Sequence, residues 1–221
     1  MSTNAIRRVS RQVALPALVA LALSATGMAR AQQQEAPPAP TASQQQTAEL
    51  AKAVAKKILS LTDYAVFDSL GFSIEPGNVV VLRGYASRPI LKSEAENVAK
   101  SVEGVSAVKN DIKVLPLSPN DDRIRASVFR RVYGYGPLRK YSNGSPLVSS
   151  PLTVAAGGIT ADPPLGFHAI HIIVDNGHVI LTGHVDSKSD ADMAILQANQ
   201  APGAFSVTND LMWPGKVEGQ R

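Results

Sequence analysis

Six residue pairs stand 99 positions apart with no gap: Leu82 and Leu181, Gly84 and Gly183, Gly104 and Gly203, Val108 and Val207, Asn110 and Asn209, Asp111 and Asp210. A constant offset that carries two glycines and an Asn-Asp pair requires a repeated structural unit. The phrase VVVLRGYAS at 79–87 and its counterpart HVILTGHVDS at 178–187 are the clearest copies. A chain of 221 residues has room for two small domains, so the duplication sets the architecture.

Each copy reads helix, strand, strand, helix, strand. In the first, Leu50, Val54, Ile58 and Leu61 form one apolar stripe, with Thr47 as the expected N-cap. Alternation then marks Leu70, Phe72 and Ile74 on one strand and Val80, Leu82, Gly84 and Ala86 on the next, around Pro76-Gly77. Pro89 opens a second helix striped by Leu91, Ala95, Val98 and Val102, Gly104 stops it, and Val108, Ile112 and Val114 mark a last strand. In the second copy, Asn120 or Asp121 is the expected cap of a helix striped by Ile124, Val128 and Val132. Asn176-Gly177 calls for a two-residue type I′ turn pairing Val174 with Val179 and Ile172 with Leu181. Matching the core faces of the two hairpins requires one extra turn residue in the first copy, beside Pro76. Gly84 and Gly183, at the centre of a strand, are expected to let a helix approach closely.

The unit with NVVVLRGYAS and VEGVSAVKNDIKV in one copy, GHVILTGHVDS and APGAFSVTNDL in the other, and DDRIR entering the second, resembles the BON domain (bacterial OsmY and nodulation), here in tandem across Thr47 to Trp213. The resemblance implies an α+β fold: two small α/β sandwich domains, each with two helices on a three-stranded mixed sheet. It also implies an exported, non-enzymatic protein concerned with envelope integrity, osmotic stress and contact with phospholipid surfaces. The chain departs from lipid-anchored members in having no cysteine, which also excludes disulfides, thiol catalysis and CxxC zinc sites.

Arg7, Arg8 and Arg11, an apolar run from Val13 to Leu23 and Ala29-Arg30-Ala31 are laid out as a secretory signal peptide, residues 1–31, which predicts a periplasmic protein. The apolar run is short of the roughly 20 residues that span a bilayer. Losing four of the 22 basic residues with that segment leaves 18 against 18 acidic ones, so net charge gives no support for nucleic-acid binding. Residues 32–46, rich in Gln, Pro and Ala, read as a disordered leader. The expected domain limits are 47–115 and 121–214, with a linker at 116–120 and a tail at 215–221.

The copies differ most at about 134–166, where the second carries an insertion rich in Gly, Pro and Ser. Arg123, Arg130 and Arg131 on the preceding helix, with Tyr133, Tyr135, Arg139 and Lys140 at its end, are the candidate footprint for anionic phospholipid headgroups, since Arg forks phosphate and Tyr sits well at an interface. Arg123, Ser127 and Arg130 are expected to share an exposed face. All four histidines, 168, 171, 178 and 184, lie in the second copy and read as surface or interface residues, with no carboxylate placed to complete a metal site. No nucleophile elbow, P-loop or HExxH is present. No enzyme activity, cofactor or metal is expected. The partners expected are anionic phospholipid or other envelope components, with peripheral membrane contact. Envelope proteins as clients of a chaperone or adaptor are the alternative, favoured if Ile173, Ile180 and Phe205 face solvent. A third reading has the duplicates packed on each other, since only a short linker separates them.

Overall fold

The computed structural model describes residues 41–143, 158–164 and 166–216. The expected signal peptide, most of the leader, the middle of the insertion and the end of the tail lie outside the described residues. Both repeats belong to one compact unit, Pro40–Arg221.

The first repeat runs α1 (Ala42–Leu59), β1 (Ser69–Glu75), β2 (Val79–Ala86), α2 (Pro89–Lys100), β3 (Ala107–Asn110) and β4 (Lys113–Val114). The second runs α3 (Pro119–Gly134), a 3-10 turn at Gly136–Tyr141, β5 (Ile170–Asp175), β6 (His178–His184), α4 (Lys188–Asn199) and β7 (Ser206–Met212). Each hairpin is antiparallel, and each last strand returns parallel to the central one. The α+β architecture of two small α/β domains is therefore present.

Corresponding residues fill the two cores. Leu50, Val54 and Ile58 of α1, Val80 and Leu82 of β2, Ala95 and Ala99 of α2 and Ile112 are buried together. Ile124, Val128 and Val132 of α3, Val179 and Leu181 of β6, Ala194 and Ala198 of α4 and Leu211 take the same places in the second repeat. Three residues, Pro76, Gly77 and Asn78, separate the paired Glu75 and Val79, whereas two, Asn176 and Gly177, separate Asp175 from His178. Asn176 and Gly177 have φ of 52° and 82°, as a type I′ turn demands. The expected one-residue difference and the pairing of Ile172 with Leu181 are both observed.

Several boundaries differ from expectation. Helix α1 starts at Ala42, inside the expected leader, because Thr41 rather than Thr47 caps it: Gln44 N–H donates to Thr41 Oγ1 at 3.3 Å and Thr41 N–H to Gln44 Oε1 at 2.8 Å. Helix α3 starts inside the expected linker, with Ser118 as N-cap and Pro119 at the first position; Ser118 Oγ accepts from Asp121 N–H at 3.2 Å. Asp121 is thereby freed from capping, and its carboxylate accepts from Asn176 N–H at 2.9 Å and Gly177 N–H at 2.8 Å, clamping the second hairpin's turn. The last strand of the first repeat is broken at Asp111-Ile112, where Asp111 N–H donates to Leu82 O and Ile112 turns into the core.

The repeated glycines have a different cause from the one expected. Gly84 and Gly183 have φ of 111° and 115°, and a Cβ there would run into the carbonyl oxygen of Ser69, which begins β1, or of Ala169, which immediately precedes β5. The close approach is strand on strand, not helix on strand. The repeated asparagines also act alike, each holding the chain two residues on. Asn110 Oδ1 accepts from Ile112 N–H at 3.3 Å, and Asn209 Oδ1 from Leu211 N–H at 3.1 Å.

Candidate functional site

What joins the repeats is the stretch between α1 and β1. Asp68 is fully buried; its carboxylate accepts from Ala65 N–H at 2.9 Å and Ser87 N–H at 2.6 Å. Arg88 closes the other side, donating to Asp63 O at 2.8 Å and pairing with its carboxylate at 3.0 Å. Held this way, residues 64–67 are presented to the second repeat as a preformed edge. Val66 O accepts from Ile172 N–H at 2.8 Å, so the first repeat meets one outward-facing donor of β5. Val66 and Phe67 are 1% and 0% exposed, within the second repeat's core. Phe67 meets Phe129 of α3 edge-on at 6.4 Å, and Phe129 meets Tyr133 at 5.1 Å. Tyr64 stacks on His171 at 5.2 Å, and Lys113 Nζ lies 2.5 Å from Asp175. The duplicates do pack on each other.

A buried network fixes the returning end of the insertion. Arg125, 1% exposed, donates through Nη1 to Asp122 Oδ1 at 2.8 Å and Thr160 Oγ1 at 3.1 Å, and through Nη2 to Val174 O at 2.8 Å. Thr160 in turn donates to Asp122. Ile159 enters the core beside it. Fixed acceptors thus meet both terminal nitrogens of the enclosed guanidinium, while its Nε is buried without a partner among the described residues.

The seven candidate headgroup contacts separate into two groups. Tyr133 is fully buried, its hydroxyl donating to Ile170 O at 2.6 Å and accepting from Ile170 N–H at 3.0 Å, and burial raises its pKa. It cannot reach a membrane surface. Tyr135 packs partly buried on the core, with its hydroxyl near Met193 Sδ. Lys140 Nζ lies 2.8 Å from Asp186 and 3.1 Å from Asp190; these carboxylates, Asp186 first, hold the ammonium protonated well above its usual range. Arg131 donates to Gln200 Oε1 at 3.1 Å. Arg123, Arg130 and Arg139 are exposed, and their guanidinium groups have no ion pair or hydrogen bond among the described residues. Arg123 and Arg130 are seven residues apart, hence on one face about 10 Å apart along the helix. Ser127 does not share that exposure; it is 8% exposed.

Two of the four histidines pack on aromatic rings, His171 on Tyr64 across the repeats and His168 in the second core. His168 lies 3.0 Å from Gly166 O through Nδ1 and meets Phe129 and Tyr133 edge-on. Burial lowers its pKa to about 4 and lowers that of His171. His178 Nδ1 lies 2.7 Å from Ser206 Oγ. Among the described residues no group of His, Asp and Glu is gathered for a metal ion, and no helix is long and apolar enough to cross a membrane. The features expected to face a protein client are divided: Ile173 is fully buried, Ile180 half-buried and Phe205 74% exposed.

These shifts fix a pH dependence. The folded pKa values of His168 and His171 are depressed, so their contribution to stability is present above the unfolded value near 6.5 and is lost as the pH falls toward about 4. Asp68, raised by burial, has the opposite sign, gaining stability as the pH falls toward 3.8, but it is one carboxyl against two imidazoles. Denaturant titrations at about pH 7.5 and pH 4.5 should differ by about 2 kcal/mol, with the acid form weaker. Equal or greater stability in acid would contradict this assignment.

The BON domain profile matches residues 46–116 and 157–214, more than half of the chain. The chain belongs to the BON domain family. Osmotically-inducible protein Y of Escherichia coli (strain K12) is 27% identical over 158 residues, covering 71% of this chain and 69% of the relative. Two structures of CdsD, a structural protein of the type III secretion system of Chlamydia trachomatis, superpose with TM-scores of 0.23 at 13% and 15% identity, covering 72% and 76% of this chain and 94% of each CdsD chain. That superposition is too loose to relate the architectures. Within the BON framework, the glycine of each hairpin, the asparagine before each last strand and the Asp121 clamp are parts of the scaffold. The exposed arginines belong to what the second BON repeat adds to it.

Proposed function

We propose that this BON protein is exported to the periplasm, has no enzymatic activity, and supports envelope integrity under osmotic stress by resting on anionic phospholipid surfaces through Arg123, Arg130 and Arg139. The observation that carries the reading is that these three guanidinium groups are exposed and uncompensated on one element and the turn that follows it, whereas Lys140 and Arg131 beside them are engaged. Similarity to an osmotically inducible protein supports the physiological setting. The signal-peptide layout of residues 1–31 supports the compartment.

A basic side chain close to an anionic leaflet contributes about 1 kcal/mol, screened by salt. The chain from Gln32 should therefore sediment with vesicles of phosphatidylcholine mixed with phosphatidylglycerol at low salt and much less at moderate salt. It should not sediment with phosphatidylcholine alone. Reversing Arg123, Arg130 and Arg139 to Glu should weaken binding by at least about 100-fold. Absence of binding at every salt concentration would remove this reading and direct attention to protein clients at the exposed Phe205.

A further inference from the structure

Between the two BON repeats lies a cavity of about 510 Å³, within the size range of small-molecule sites. Its wall from the first repeat includes Leu59, Tyr64 and Leu70; its wall from the second includes Phe167, Thr182 and Met212. Leu59, Phe167 and Met212 are 70%, 66% and 38% exposed, so three of the chain's large exposed apolar side chains are gathered at this one place. The polar side chains of the remaining lining are Ser69, His168, His171 and His184, with no Lys, Arg, Asp or Glu among the described lining residues. His171 Nδ1 and His168 Nε2 are buried away from this space, so the hydroxyl of Thr182 is the polar group its inner wall offers.

A site with aromatic and aliphatic walls and no carboxylate, ammonium or guanidinium selects against charged ligands, whose desolvation nothing here would offset. We propose that the cavity binds one uncharged amphiphile, with its apolar body between Tyr64, Leu70, Phe167 and Met212 and its hydrogen-bonding end at Thr182. Because both repeats supply walls, the site exists only in the paired arrangement. A single BON unit has half of it.

The neutral fluorophore N-phenyl-1-naphthylamine serves as probe, titrated into the chain from Gln32 at about pH 8. Saturable binding of one equivalent is expected. Phe167→Ala, at an exposed position, should weaken binding about tenfold, and Thr182→Trp, which fills the cavity, should abolish it while leaving the denaturant midpoint close to that of the parent. Decanol should displace the probe, and decanoate at the same pH should do so at least about tenfold less well. The Arg123, Arg130 and Arg139 reversal should bind the probe normally, separating this site from the membrane-facing one. Non-saturable binding, indifference to both cavity variants, displacement by decanoate as effective as by decanol, or displacement by an apolar peptide but not by decanol would overturn the proposal.

Discussion

Phe67→Ala, a substitution in the first repeat, is expected to destabilise the second repeat by about 3–4 kcal/mol. Phe67 has no exposed surface, lies in the second repeat's core and packs edge-on against Phe129. Its removal leaves a cavity where the flanking backbone cannot collapse, because Asp68 and the Arg88–Asp63 pair hold the segment from the first repeat. The single tryptophan, Trp213, packs against that same second core, so its fluorescence reports on the second repeat. A urea titration followed through Trp213 should show the midpoint move down by the full amount. A shift below about 0.5 kcal/mol would mean that the crossing contributes little and the repeats stand independently.

Gly183→Ala is expected to cost at least about 3 kcal/mol and to abolish native packing of the second hairpin at its β5–β6 end. Two penalties add there: φ of 115° is unfavourable for any side chain, and the new Cβ would meet the Ala169 carbonyl, which already accepts from His184 N–H at 3.2 Å. Backbone on both sides leaves no flexible atom to move aside. Gly84→Ala should do the same to the first hairpin, since Ser69 O stands in the equivalent place. Gly71→Ala, also in a strand but with nothing within 4 Å of its Cβ, should be neutral or slightly stabilising. If circular dichroism and urea midpoints rank the three variants alike, the close-approach explanation of the repeated glycine fails.

How much of this was legible in the sequence depended on the range of each interaction. The hairpin registers were, because side-chain alternation has a period of two and Asn176-Gly177 fixes where the count begins. The extra residue at Pro76-Gly77-Asn78 followed from the same count. The caps at Thr41 and Ser118 were within reach too: Gln44 stands three residues after Thr41 and Pro119 one after Ser118, both local signals. The crossing of Val66 and Phe67 was not legible, since two apolar residues in a loop carry no mark of which core will receive them. Arg125 reads as a solvated helix charge beside Arg123 until Asp122, Thr160 and Val174, the latter two over 30 residues away, are brought round it. Tyr133 shows the reverse error. Its place at the end of a basic helix suggested an interfacial aromatic, but Val132 and Tyr133 both turn inward, and Ile170 takes up both hydrogen bonds of the hydroxyl. The exposed part of the candidate set is thereby reduced to arginines and the engaged Lys140, and the exposed aromatics stand elsewhere, Phe167 at the cavity between the repeats and Phe205 beside the second hairpin's turn.

The central claim is that duplication produced one body: the first BON repeat supplies part of the second's core, hydrogen-bonds to the edge of β5 and forms half of a shared cavity. A calorimetric scan of the chain from Gln32 tests it most directly. One transition, with calorimetric and van't Hoff enthalpies equal, is the predicted result. Two separated transitions, each with its own enthalpy and each movable by substitutions in one repeat alone, would contradict it.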